Sequence, residues 1–298
     1  MEIRVLRYFL TVVYEQNITR AADVLHITQP TLSRQLAAME EELGVRLFDR
    51  GTRGIALTRE GMLLRRRAEE IVSLAEKTEQ ELAVQGDSLG GRIAVGAGES
   101  ASVQRVAACC EAFQARYPLV AFDLVTAAAD VVQERMDKGL IDVGLLIEPV
   151  DMSKYDYIRM DVKEEWGVFM RAEDPLAQEA EISVDALARL PLILPRRLNM
   201  RSELANWFGG AYSQLNIRFT SNLSTNACVM VRQGLGYAVA IRGSMPFLDG
   251  RQISFRPLSP ALEATSVLAW KRRQPFSPAA TKFIEFLKCF LSMERQTT

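Results

Sequence analysis

Along the first sixty residues, apolar positions recur with the period of a helix rather than alternating as in a strand. Leu6, Phe9, Leu10 and Val13 share one face, which predicts an amphipathic helix over residues 3–15. Asn17-Ile18-Thr19 interrupts it, and Thr19 is the expected N-cap of a short helix over 20–25. Thr28 caps a third helix with Pro30 in its first turn, where a missing N–H costs nothing. In that helix Leu32, Leu36, Met39 and Leu43 step by four, three and four, and Gly44 suits a left-handed C-terminus. Residues 46–50 and 55–57 then alternate around Gly51-Thr52-Arg53-Gly54, the pattern of a β-hairpin.

From Thr58 onward the period changes again. Leu64, Ala68, Ile71, Ala75, Thr78 and Leu82 form a heptad seam, with Arg65-Arg66-Arg67 on the outer faces. A helix over 58–85 would be about 42 Å long. Its narrow apolar seam pairs either with a second copy, giving a dimer, or with the chain's own C-terminal part. Three glycines within residues 85–91 end it.

Beyond Gly91 strands and helices alternate. Strands at 92–97, 120–125 and 141–147 enclose helices at 102–117 and 130–138. A second βαβαβ run follows, with strands at 192–194, 217–220 and 237–241 and helices at 200–208 and 224–234. Residues 166–170 and 265–270 read as strands crossing between the two halves, before a last helix at 277–291. The expected fold is α/β: a winged helix-turn-helix, a long linker helix, and a two-lobed α/β domain. The expected boundaries are 1–58, 59–90 and 91–298, with lobe 1 at 91–161 plus 267–298 and lobe 2 at 162–266.

Composition narrows the chemistry. The chain has 298 residues, 36 Lys and Arg against 37 Asp and Glu, and one histidine, His26. A histidine-rich metal centre is excluded, and a Ser-His-Asp triad has only His26 to use. Cys109, Cys110, Cys228 and Cys289 form no CxxC pair, and the adjacent Cys109 and Cys110 point about 100° apart on a helix. No apolar run reaches the roughly 18 residues of a membrane span, and charges interrupt the N-terminal apolar residues. The expectation is a cytoplasmic protein without metal or cofactor. The charge is uneven: residues 1–67 hold 11 Lys and Arg against 8 Asp and Glu, a net +3 that leaves −4 for the rest.

Two short helices joined by the turn His26-Ile27-Thr28 form a helix-turn-helix unit, in which Ala21 and Ala22 permit a close helix crossing. With Leu32 and Leu36 buried, Gln29, Thr31, Ser33, Arg34 and Gln35 remain on the outside. Amide, hydroxyl and guanidinium groups read base edges and phosphates in a major groove, although a solvated face also carries such groups. Arg50 and Arg53 on the hairpin are placed to reach the DNA backbone or minor groove from a wing.

Ile18-Thr19-Arg20-Ala21-Ala22, the run from His26 to Leu36, and Leu43-Gly44-Val45-Arg46-Leu47-Phe48-Asp49-Arg50 resemble the signature of LysR-type transcriptional regulators. The resemblance covers nearly all of residues 1–65. It implies DNA contacts from Gln29, Pro30, Thr31, Ser33, Arg34, Arg50 and Arg53. It also implies a coiled-coil linker joining a homodimer, often a tetramer, that acts at promoters near the nucleoid and leaves room for an RNA polymerase contact. The two-lobed half resembles the effector domain of the same family, which shares the fold of periplasmic solute-binding proteins.

Ligands of such folds sit beyond the carboxyl ends of the strands, at helix N-termini. Ser100 and Ser102 in lobe 1, with Arg196, Arg197 and Thr225 in lobe 2, are the expected clamp for a small anionic effector. Glu99 opposes an anion there, so either it points away or the ligand carries a donor group. Where many relatives have a hydroxyl, this chain has Ala127-Ala128-Ala129, which leaves a backbone or apolar contact. Arg196-Arg197-Leu198-Asn199 stands where a peroxide-sensing branch has a reactive cysteine. A cytoplasmic binding protein or an enzyme on the two-lobed fold is the alternative, with Ser100 lacking an evident base.

Overall fold

The computed structural model describes residues 1–51, 54–83 and 89–297, and for residues 50, 51, 54, 80–83, 198, 199 and 294–297 the backbone alone. The chain divides into two compact units, Met1–Gln85 and Gly86–Thr298.

In the first unit α1 (Ile3–Glu15), α2 (Ile18–Val24) and α3 (Gln29–Leu43) precede the hairpin β1 (Phe48–Gly51) and β2 (Gly54–Leu57), and α4 (Arg59–Ala83) follows. Asn17, rather than Thr19, caps α2, its side chain accepting from the Arg20 N–H at 3.0 Å. An Asn carbonyl reaches the third residue on as well as a hydroxyl does, so the helix starts two positions earlier than Thr19 would allow. Ala21 and Ala22 are buried where α2 meets its neighbours, and His26 holds φ +53° in the turn that follows. Gly44 ends α3 at φ +68°, a conformation open to glycine without strain.

A single core closes this unit around Phe9, Leu32, Leu36 and Phe48. Glu40, on α3, accepts from the backbone N–H groups of Leu47 (2.6 Å) and Phe48 (3.2 Å), which ties the hairpin to α3. Thr58 caps α4, accepting from the Gly61 N–H at 2.9 Å while its hydroxyl donates to the Arg46 carbonyl at 2.7 Å. The heptad seam of α4 is divided: Ala68 and Leu64 pack into the unit's own core together with Val72, whereas Ile71 and Leu74 stay exposed. The physical reason is α1, which takes one edge of the seam and adds ion pairs from Arg7 to Glu76 and Glu79. Leu82 is among the residues whose side chains lie outside the described set.

The second unit is one mixed sheet with helices on its faces. Lobe 1 holds β3 (Gly90–Ala97), α5 (Val103–Arg116), β4 (Leu119–Thr126), α6 (Ala129–Asp137) and β5 (Val143–Ile147). A long strand, β6 (Tyr155–Arg171), leads to lobe 2: β7 (Ile182–Ser183), α7 (Val184–Ala188), β8 (Pro191–Pro195), α8 (Leu198–Phe208), β9 (Asn216–Ser221), α9 (Ser224–Arg232), β10 (Tyr237–Ile241) and β11 (Ile253–Ser259). The chain returns through β12 (Glu263–Lys271) to α10 (Pro278–Thr297). The strand order is β4-β3-β5-β12-β6-β10-β8-β9, parallel within each βαβαβ run and antiparallel where β6 and β12 cross.

Only residues 166–170 of β6 are legible as a strand in the sequence, because the charged residues in 156–165 break its apolar run. In the fold those charges alternate to solvent, while Met160, Glu164 and Trp166 fall on the inward side. Tyr155–Met160 pair with β12 in one lobe, and Trp166–Phe169 pair with β10 in the other. One strand thus belongs to both halves. β11, unpredicted, extends lobe 2 by pairing with β6.

One glycine in the first unit is set by close approach. A Cβ at Gly61 would stand 2.1 Å from the Leu47 carbonyl oxygen and 2.9 Å from Leu57 Cδ2. Helix propensity favours Ala over Gly by about 1 kcal/mol, but a clash with fixed backbone outweighs it, since ordinary overpacking already costs about 1–3 kcal/mol. Gly61→Ala is expected to lower the urea midpoint of the first unit, followed by circular dichroism. An unchanged or higher midpoint would contradict the close packing of α4 on the hairpin.

Candidate functional site

The first candidate surface is the solvent side of α3. Gln29, Pro30 and Arg34 are exposed, and Thr31, Ser33 and Gln35 are half-buried. Leu32, Leu36 and Met39 hold the opposite side in the core. The polar groups are ordered among themselves: Gln29 Nε2 donates to Ser33 Oγ at 2.9 Å, and the Thr28 and Thr31 hydroxyls pair at 2.8 Å. Arg34 Nε donates to the Pro30 carbonyl at 3.4 Å, leaving the fork of its guanidinium beyond the helix. Arg53 lies outside the described residues, as does the side chain of Arg50.

The second is a cavity of about 80 Å³ between the lobes of the C-terminal unit. Its walls are mostly apolar, from Leu145, Ile147, Trp166, Ile193, Ala227, Val239 and Ile241, with Glu99, Arg197, Ser221, Asn222 and Ser224 supplying polar groups. Both charged groups cross from one lobe to the other. Glu99 Oε2 accepts from the backbone N–H groups of Ser224 (2.6 Å) and Thr225 (3.2 Å), and Oε1 accepts from the Thr225 hydroxyl. From lobe 2, Arg197 donates to the carbonyls of Ile147 (2.8 Å) and Pro149 at the end of β5. Burial lowers the pKa of Arg197, opposed by the charges of Asp130 and Glu203.

The sequence-expected effector residues are therefore scattered. Arg197 lines the cavity, and Thr225 meets Glu99 at its edge. Arg196 is exposed and outside the lining. Ser102 is wholly buried away from the cavity: its N–H and hydroxyl donate to Glu164, both at 3.2 Å, and its Oγ pairs with Ser266 Oγ at 2.7 Å. Ser100 is also buried, its Oγ has no partner, and it lies outside the lining. The N-terminus of α5, where an anion was expected, already holds the carboxylate of Glu164, which also accepts from the Ala101 N–H at 3.3 Å.

Three contributors escaped the sequence. Glu164 carried a usable signal, since it shares strand parity with Met160 and Trp166 and so had to point inward. Glu99 was noticed as a charge in the wrong place, and it does not point away: it spans to the helix of the opposite lobe. Trp166, 1% exposed, lines the cavity, and its Nε1–H has no partner. At α6 the N-cap is Ala128, which makes no side-chain capping bond, and Ala128 and Ala129 line the cavity.

Cys110 and Cys228 are chemically quiet. Burial pushes the Cys110 thiol up to about 11, and burial plus the charge of Glu99 pushes Cys228 up to about 12. Neither is a thiolate near neutral pH. Among the described residues no group of three or more His, Cys, Asp or Glu side chains converges to hold a metal, and no helix is long and apolar enough to cross a membrane.

Residues 3–62 match the family model for bacterial regulatory helix-turn-helix proteins of the lysR family, and residues 86–292 match the LysR substrate binding domain. The chain belongs to the LysR family. It is a DNA-binding transcriptional regulator with a substrate-binding effector domain. The Hca operon transcriptional activator HcaR of Escherichia coli K12 is 32% identical over 297 residues, 97% of each chain. The regulator BudR of Raoultella terrigena is 27% identical over 96% of this chain and 99% of its own. Among solved structures, CbnR, a LysR family transcriptional regulator, has a TM-score of 0.75 at 22% identity, covering 98% of this chain and 99% of that one. Full-length CbnR complexed with its target DNA has a TM-score of 0.73 at 21% identity, covering 97% and 100%.

The buried carboxylate of Glu164 makes a stability prediction for this regulator. Glu164→Ala leaves the N–H groups of Ala101 and Ser102 without an acceptor, each worth about 1–3 kcal/mol when buried. All three tryptophans, Trp166, Trp207 and Trp270, lie in the C-terminal unit, so tryptophan fluorescence reports its unfolding alone. The fluorescence midpoint in urea is expected to fall clearly. A loss well under 1 kcal/mol would remove Glu164 from that role.

Proposed function

We propose that this regulator reads its operator through the outward side of α3 and senses a small, largely apolar anion in the cavity between the lobes. The DNA reading rests on one observation: α3 presents Gln29, Pro30, Ser33 and Arg34 together at its exposed N-terminal end, while its apolar side is locked into the core. That is the geometry of a helix entering a major groove, with Thr31, Gln35 and, from the hairpin, Arg50 and Arg53 completing the contact. The functional division is a head over 1–58, a linker helix over 59–90 and a sensing body over 91–298. With His26 in the head and with Cys110 and Cys228 held as thiols, the body is read as a binding switch and not a catalyst, working in the cytoplasm.

The effector reading rests on the cavity. Its apolar walls suit a hydrocarbon body, and two helix N-termini border it for an acceptor group: that of α6, whose N-cap Ala128 makes no capping bond, and that of α9, now held by Glu99. A helix N-terminus favours an anion over a neutral acceptor. Dimerisation through α4 is supported by Leu63, Ile71 and Leu74, exposed by 38–59%. Two copies joined there would offer two recognition helices to a two-fold symmetric site. Further exposed apolar residues on the edge strands, Leu119 and Leu124 on β4 with Ile217 and Phe219 on β9, suit a second contact between copies and hence a tetramer.

Two outcomes check these assignments. Arg34→Ala is expected to weaken binding to a promoter fragment about tenfold or more, the cost of one good base or phosphate contact, with Ser33→Ala relaxing sequence preference. Unchanged affinity and preference in both would sink the recognition-helix assignment. Ile71→Glu together with Leu74→Glu is expected to shift the particle mass in light scattering towards the monomer, and an unaltered mass would move the interface away from α4.

A further inference from the structure

Both acidic groups beside the cleft sit on helix N-termini, but in different settings. Glu164 is 1% exposed and belongs to the strand shared by the lobes, so its bonds are part of the fold. Glu99 is half-buried, lines the cavity, and reaches from the end of β3 across to α9. Two backbone N–H groups and one hydroxyl converge on its single carboxylate. A carboxylate-shaped seat therefore lies beside an apolar cavity, and a side chain of the same chain fills it. Trp166 lines the same cavity, and its buried Nε1–H has no partner among the described residues.

We propose that Glu99 is a built-in competitor for the anionic group of the effector, and that its expulsion from the α9 N-terminus couples effector binding to release of the lobes. The inference rests on the reading that the cavity is the effector site. Two carboxylates within one small apolar space repel strongly, because little water screens them. An entering carboxylate and a seated Glu99 therefore exclude one another. Glu99 is half-buried and gives up three bonds on turning to solvent, a loss that burial of the ligand's hydrocarbon part offsets. The seat then passes from an intramolecular to an intermolecular anion. The interlobe bonds from Glu99 to Ser224 and Thr225 are lost in that exchange, while those from Arg197 to Ile147 and Pro149 remain. A small monocarboxylate with an apolar body is the ligand class that meets these terms. An uncharged analogue of the same shape can enter without displacing Glu99 and so leaves the lobes tied.

The test uses the full chain, hexanoate and its uncharged counterpart hexanamide as probes, and titration calorimetry. Glu99→Gln keeps the size and an acceptor oxygen but removes the charge. Hexanoate is expected to bind Glu99→Gln roughly tenfold or more tighter than wild type, since the competing charge-assisted bonds no longer hold the seat. Hexanamide is expected to bind both proteins alike. Equal changes for the two probes, no change for either, or no hexanoate binding to Glu99→Gln would each overturn the exchange. Ala240→Phe, which fills the cavity from β10, separates this from the underlying reading. If it abolishes hexanoate binding while Glu99→Gln has no effect, the cavity stands and the exchange falls. If hexanoate binds Ala240→Phe as it binds wild type, the cavity reading itself falls.

Discussion

A helix that begins inside a protein brings N–H groups that have no partner within the helix, and each must find an acceptor or remain costly. That constraint organises the C-terminal unit. At α5 the acceptor is Glu164, carried by the strand that passes from one lobe to the other. At α9 it is Glu99, from the opposite lobe. At α6 the N-cap residue, Ala128, makes no capping bond. The same requirement accounts for a bond within the junction at α5 and a tie between lobes at α9.

The lobes are joined by more than these carboxylates. β6 contributes to both halves of the sheet, and β12 returns beside it, so the junction is continuous backbone. Arg197 adds a bond in the reverse direction, donating from lobe 2 to carbonyls of lobe 1. Its guanidinium is thereby spent on backbone oxygens and is not an open clamp. A ligand that alters the lobe arrangement has to bind one arrangement better than another. Charged groups that already bridge the cleft are the natural place for that difference to arise.

The first unit follows a different logic. The polar side of α3 is exposed, so the position of this helix depends on the packing of its other side. Leu32, Leu36 and Met39 anchor it, and Glu40 binds it to the hairpin through two N–H groups. α4 closes on that hairpin at Gly61 with no room for a side chain. The unit thereby spends part of its linker helix on its own core and leaves the remaining apolar edge, around Ile71 and Leu74, facing out.

Periodicity alone determined the helix-turn-helix and the two βαβαβ runs, though not β7, α7 or β11, because local apolar spacing is a property of adjacent residues. It also placed Gln29, Ser33 and Arg34 on one exposed face, since the buried stripe of a helix defines the opposite side. The charge contrast between head and body was equally legible. What only the tertiary structure decided was pairing over long distances. Which carboxylate meets which helix end depends on residues that are 62 to 126 apart in sequence, and no local period reports that. Ser102 and Arg197 looked like ligand groups because their partners, Glu164 and the β5 carbonyls, lie far along the chain. The strand parity of Glu164 marked it as inward-facing. Only the fold could say that a helix N-terminus was waiting there.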